Sequence, residues 1–378
     1  MKEIIGCGFE SCIPTCISKC EKDIYDREYM ISPMNIGLIK GHINQLKIAA
    51  QHKGDDIEKT VYLYNSVGLE WRNMSYFASW VYEVYKKSYL PGVDPSYIDT
   101  LSVDKTKMSI FSILIDDLSD NIKLRDGDLL RQALRIPYNE TQMLENEYLE
   151  ATRKVWLEII DSMKKYPRYD EFKDIFFFDL DQFLNAVKYG YLVNTRDLYN
   201  NMETKSYSPH NMMIILFLDM DLMCSPNFKS EELRKVRPIF NYVQDIMHVG
   251  NIINTFPREI EELDFSSPMI SLGLEEGIIT KEDVMKDPKK TLENLQYLIP
   301  CYKHRVEEDL QHIRDLKNTV ESINIEEFYL KVSKAWEAFL ERPQYWKLDK
   351  TEEKENKDSL IKSIIGVIPK TSIQWVRM

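Results

Sequence analysis

Two clusters of oxygen-bearing side chains interrupt otherwise apolar segments. The first lies in "SIFSILIDDLSDN", Ser109 to Asn121, where Asp116, Asp117 and Asp120 follow a run of mostly apolar residues. On a helix Asp116 and Asp120 share a face, with Asp117 about 100° around the axis. Carboxylates at that spacing can hold a divalent cation, and hard oxygen donors suit Mg²⁺ with phosphate as co-ligand. The second lies in "GNIINTFPREIEE", Gly250 to Glu262, where Asn251, Thr255 and Glu259 recur every fourth residue. On a helix they form one line of amide, hydroxyl and carboxylate oxygens, able to chelate one Mg²⁺. Arg258 stands beside them as a donor to phosphate oxygen. Taken singly, each cluster also describes a helix surfacing into solvent.

The elements that must carry these groups are helical. "MISPMNIGLIKGHINQLKIAAQ", "MSYFASWVYEVYKKSYL", "TQMLENEYLEATRKVWLEIIDSMKKY", "IFFFDLDQFLNAVKYGYLVNT" and "RPIFNYVQDIMHVGNIINTF" place apolar residues at three- and four-residue spacing. Convincing period-two strands and internal repeats are missing, and Pro and Gly fall mainly between the blocks. The expected fold class is all-α. The expected organisation is an N-terminal segment 1–22, one domain over 23–346, and a charged linker and tail over 347–378. "KLDKTEEKENKDSL" has the composition of a solvated connector.

The chain has 378 residues, 44% of them hydrophobic, which is ample for a large core. A net charge of −12 argues against nucleic acid as a partner. The start lacks a secretory pattern. The longest apolar run, Met212 to Leu218, falls far short of the ~20 residues of a membrane span. A cytoplasmic setting with reduced thiols is expected. Cys7, Cys12, Cys16 and Cys20 lack the paired spacing of a zinc site and read as ordinary thiols.

Together, a DDxxD followed by NxxxTxxRE on two apolar helices resembles the class I terpene synthases, of the single-domain microbial and octocoral type. "SYFASWVYEV", Ser75 to Val84, is similar to that family's early aromatic helix. The likeness implies a single helical bundle around a deep apolar cavity. The resemblance implies Mg²⁺, three ions with Mn²⁺ as a substitute, held by Asp116, Asp117, Asp120, Asn251, Thr255 and Glu259. It implies diphosphate binding by Arg258, Lys205 near the Ser208-Pro209 break, and Arg342 with Tyr345 in "ERPQYW". Phe77, Trp80, Phe111 and Trp336 are the candidate cavity aromatics. Ile252 replaces the family's usual Asp, and Pro257 is expected to kink or end its helix. The implied reaction is Mg²⁺-dependent ionisation of an isoprenyl diphosphate and cyclisation by a monomer or homodimer, with geranylgeranyl diphosphate ahead of farnesyl diphosphate.

Three other readings compete. A chain-elongating isoprenyl diphosphate synthase would carry a second Asp-rich motif, which "FFDLDQF" and "FLDMDLM" do not supply. A proton-initiated cyclase would carry DxDD, one Asp beyond "DLDQ". A non-catalytic all-α binding or scaffold protein would show no Mg²⁺-dependent diphosphate release.

Overall fold

A computed structural model describes residues 55–68, 73–139 and 145–340. The four N-terminal cysteines, the helix expected over 30–51, Arg342, Tyr345 and the charged segment 347–360 lie outside the described residues. Among those described there are helices and no strand. The longer ones are α1 (Asp55–Val67), α2 (Met74–Tyr85), α3 (Ile98–Asp116), α4 (Glu147–Met163) and α5 (Tyr169–Arg196). They continue as α6 (Ile214–Met223), α7 (Leu233–Glu262), α8 (Ile299–Asp315) and α9 (Ile325–Leu340). None is long and apolar enough to cross a membrane.

Two helices organise the rest. α3 packs against α1, α2 and α4, whereas α7 packs against α6, α8 and α9. α3 is buried almost all round, including Asp104, Lys105, Thr106 and Lys107. Such polar groups survive inside only when partnered. Asp104 accepts from the hydroxyls of Ser162 and Tyr166, both at 2.6 Å. Lys107 pairs with Glu158 at 2.8 Å, and Thr106 donates back to Ser102 O.

α7 keeps its apolar face inward for its whole length, and it does not end at Pro257. The helix continues through Pro257 to Glu262. Proline has no N–H for Ile253 O, so one rung is missing, but burial of Phe256, Pro257 and Ile260 holds the last turn in place. The true end is Leu263, in the left-handed conformation at φ 54°. Asp264 N then donates to Glu259 O at 3.0 Å, the closing bond of a left-handed helix terminus.

Between α5 and α6 the chain breaks twice. A short helix, Asn201–Tyr207, leads into a tight turn over Ser208–Met212, and Met213 adopts φ 52°. This break folds over one side of the space between α3 and α7.

Candidate active site

That space is a cavity of about 210 Å³, lined from α2, α3, α6, α7, α9 and the 208–214 turn. Both oxygen clusters open onto it: Asp116 and Asp120 from one wall, Asn251, Thr255, Arg258 and Glu259 from the other. The remaining wall is mostly apolar and aromatic.

The first cluster sits where α3 ends. Asp116 is the last helical residue, and Asp120 N still donates to Asp116 O at 3.0 Å. One more turn therefore brings Asp116 and Asp120 onto the same side. Asp117 is turned away: it is buried and accepts a 2.9 Å hydrogen bond from the Tyr64 hydroxyl. Of the three aspartates expected at one site, Asp116 and Asp120 line the cavity and Asp117 does not, because it faces α1. Burial, then the charges of Asp116 and Asp264, hold the Asp120 carboxyl well above the ordinary range.

The second cluster keeps its line along α7. Thr255 Oγ1 lies 2.8 Å from Asn251 O and also reaches Glu259 Oε1. Burial raises the Glu259 carboxyl to about 7; Arg258 opposes this and Asp264 adds to it. Glu259 Oε2 is buried without a hydrogen bond, although the Ser267 hydroxyl is near enough to be felt. Arg258 donates to Glu262 at 2.5 Å and lies 3.8 Å from Glu259.

Asp264 was not anticipated. It lines the cavity just past α7 and is felt by Asp120 and Glu259 alike, one from each cluster. It accepts from Asn194 Nδ2 at 2.8 Å and the Ser266 hydroxyl at 2.6 Å. Gly190 of α5 makes this possible: a Cβ there would come 3.2 Å from Asp120 Oδ1 and 3.4 Å from Ser266 Oγ. Nothing in the spacing of the motifs points to Asp264, because it follows a turn rather than a helical period.

The donor set is chemically suited to a hard cation: carboxylate, amide and hydroxyl oxygens, one of them buried without a partner. Among the described residues no three His, Cys, Asp or Glu side chains are already gathered at metal-holding distance. The two clusters thus stand on separate walls of the cavity.

The aromatic expectations divide. Phe77 and Trp80 line the cavity, and Trp80 meets Phe339 edge-on at 5.1 Å. Phe111 does not: it is fully buried against Trp156 at 5.1 Å. The lining face of α3 runs through Lys105, Ser109, Ser112, Ile113 and Asp116, and Phe111 lies off it. Trp336 likewise packs on the core beside a lining face of Phe328, Val332, Ala335 and Phe339. Tyr85, Phe217, Phe328 and Phe339 also line the cavity, unanticipated. Stepping back three and four residues from Asp116, or onward from Phe77, would have found the right faces.

Lys205 lines a neighbouring pocket of about 10 Å³, which shares His248, Ile252 and Pro268 with the main cavity. It is therefore separated from the two clusters by that shared wall. The acidic stretches of α5 and α6 are internal. Arg237 makes two 2.8 Å bonds to Asp179, and Lys105 meets Asp221 at 2.6 Å.

No protein-family model matches the chain, and no curated protein is returned as its relative.

Proposed function

We propose that this protein is a class I-type terpene cyclase that ionises an isoprenyl diphosphate and closes rings in the α3–α7 cavity. Geranylgeranyl diphosphate is the favoured substrate and farnesyl diphosphate the second. The observation that carries this reading is that Asp116, Asp120, Asn251, Thr255 and Glu259 line one cavity whose other walls are apolar and aromatic. Two unrelated surface helices would not share an opening.

Asp116 and Asp120 would hold Mg²⁺ from the α3 side, and Asn251, Thr255 and Glu259 from the α7 side. Magnesium, when bound, neutralises the leaving diphosphate so that the carbon–oxygen bond can break. Arg258 exchanges Glu262 for a phosphate oxygen, a stronger charged partner when bidentate. Phe77, Trp80, Tyr85, Phe217, Phe328 and Phe339 offer ring faces and edges to a hydrocarbon cation and keep water out.

The test is incubation with ten-, fifteen- and twenty-carbon allylic diphosphates, with Mg²⁺ or with a chelator. Expected is diphosphate release together with a cyclic hydrocarbon or alcohol, lost with the chelator and in Asp116→Ala. A longer diphosphate product would identify an elongating enzyme. No turnover of any of the three would remove the cyclase reading.

A further inference from the structure

His248 lies on α7 three residues before Asn251, about one helical turn farther from Glu259 than Asn251 is. It is a wall shared by two spaces, lining both the main cavity and the small pocket behind it. The ring is 6% exposed, and Nδ1 has no hydrogen-bond partner. Buried polar atoms in folded chains nearly always find one, so an exception asks for a ligand or a task.

The surrounding groups do not supply that partner. Arg305, whose charge reaches the ring, is bonded to Asp245. His210 is bonded to Gln244 at 3.3 Å. Burial, the main influence, lowers the His248 ring to about 3. The imidazole is thus neutral at working pH, which matters in a cavity meant for a cation: an imidazolium there would repel it.

We propose that His248 is the base that ends the cyclisation, its ring, which lines the cavity, taking a proton from the last carbocation. The inference rests on the cyclase reading above. In this step a C–H bond next to the cationic carbon breaks and its electron pair becomes the new carbon–carbon double bond. An N–H bond forms, and the positive charge passes from carbon to the ring. A C–H bond beside a cationic carbon is a far stronger acid than imidazolium, so weak basicity is no obstacle. The small pocket behind the ring is lined by Asn201, Thr204, Lys205, Tyr302 and Arg305. At about 10 Å³ it is close to the least volume that holds one water, through which the proton can leave. The main product is then an olefin rather than an alcohol.

The experiment compares the full chain with His248→Phe, which keeps an aromatic of similar size, and His248→Gln, which keeps polarity without a comparable base. Diphosphate release and hydrocarbon products are measured separately with geranylgeranyl and farnesyl diphosphates and Mg²⁺, and melting is recorded for both variants. Expected is diphosphate release reduced by less than about tenfold, because ionisation precedes deprotonation. The main olefin should fall by at least about tenfold as a share of products, replaced by alcohols or other olefins. Unchanged product ratios in a folded variant overturn the base and leave the cyclase standing. Loss of diphosphate release in parallel with the olefin, in a folded variant, also overturns it, by assigning His248 to ionisation. A wild-type chain that releases no diphosphate removes both readings together.

Discussion

The two ends of the cavity treat charge in opposite ways. At the inner end Lys105 is 2% exposed and meets Asp221 at 2.6 Å, and Asp221 also accepts from Leu90 N at 3.0 Å. Nearby the Tyr85 and Ser109 hydroxyls satisfy each other at 2.7 Å. At the outer end Asp116, Asp120, Glu259 and Asp264 converge, and Arg258 is the cation beside them among the described lining residues. The protein closes its inner end with its own counter-charges and leaves its outer end in want of positive charge. Folding alone would favour the first arrangement everywhere. The second is what the proposed metal and diphosphate site would require.

The sharpest way to break this contrast is at the inner end. Lys105→Met should leave Asp221 buried and uncompensated, costing about 3–5 kcal/mol in denaturant unfolding. Adding Asp221→Leu should recover most of that loss; equal instability of the double variant would deny that the pair is matched. The outer end should respond with the other sign. Asp120→Asn removes a carboxyl whose charged form is disfavoured by burial and by the charges of Asp116 and Asp264, so melting should stay level or rise while diphosphate release is lost. A melting rise with Mg²⁺ and inorganic diphosphate is expected of the wild type and should vanish in the same variant.

A third test lies behind the α7 wall. Burial, and then the neighbouring Asp245 carboxyl, lift the Asp309 carboxyl from 3.8 to about 8. A raised folded value means that its contribution is complete below 3.8 and is lost as pH climbs through about 8. Melting should therefore be lower near about pH 8.5 than near about pH 5, and Asp309→Asn should flatten that difference. The smallest effect is expected at Gly190. Gly190→Ala gains up to about 1 kcal/mol of helix preference, offset by the Cβ pressing on Asp120 Oδ1 at 3.2 Å. Net stability should hardly move, whereas the melting rise with Mg²⁺ and diphosphate should shrink.

Helices were legible because each buries one face, and burial writes a three-to-four-residue rhythm into α2, α4, α5 and α7. The rhythm also holds information about direction that identity alone does not. Asp117 and Phe111 are the right residue types on the wrong side of α3, and Trp336 is one position off the lining face of α9. Long-range meetings leave no such rhythm. Asp264 reaches the outer end through a left-handed turn and a glycine on a distant helix, and neither is implied by the other in the chain. Lys105 is apparent as a lysine in an apolar helix, but its partner is 116 positions away.

The proline within α7 has a mechanical consequence. With no amide hydrogen at position 257, the ladder between the Asn251 half and the Glu259 half is short of one bond. Arg258 and Glu259 thus ride on a terminal turn that yields more readily than the rod below it. Amide hydrogens of residues 258–262 should trade with heavy water sooner than those of 243–254. An articulated tip of this kind would let that wall tighten around the proposed substrate while the rest of the helical bundle keeps its shape.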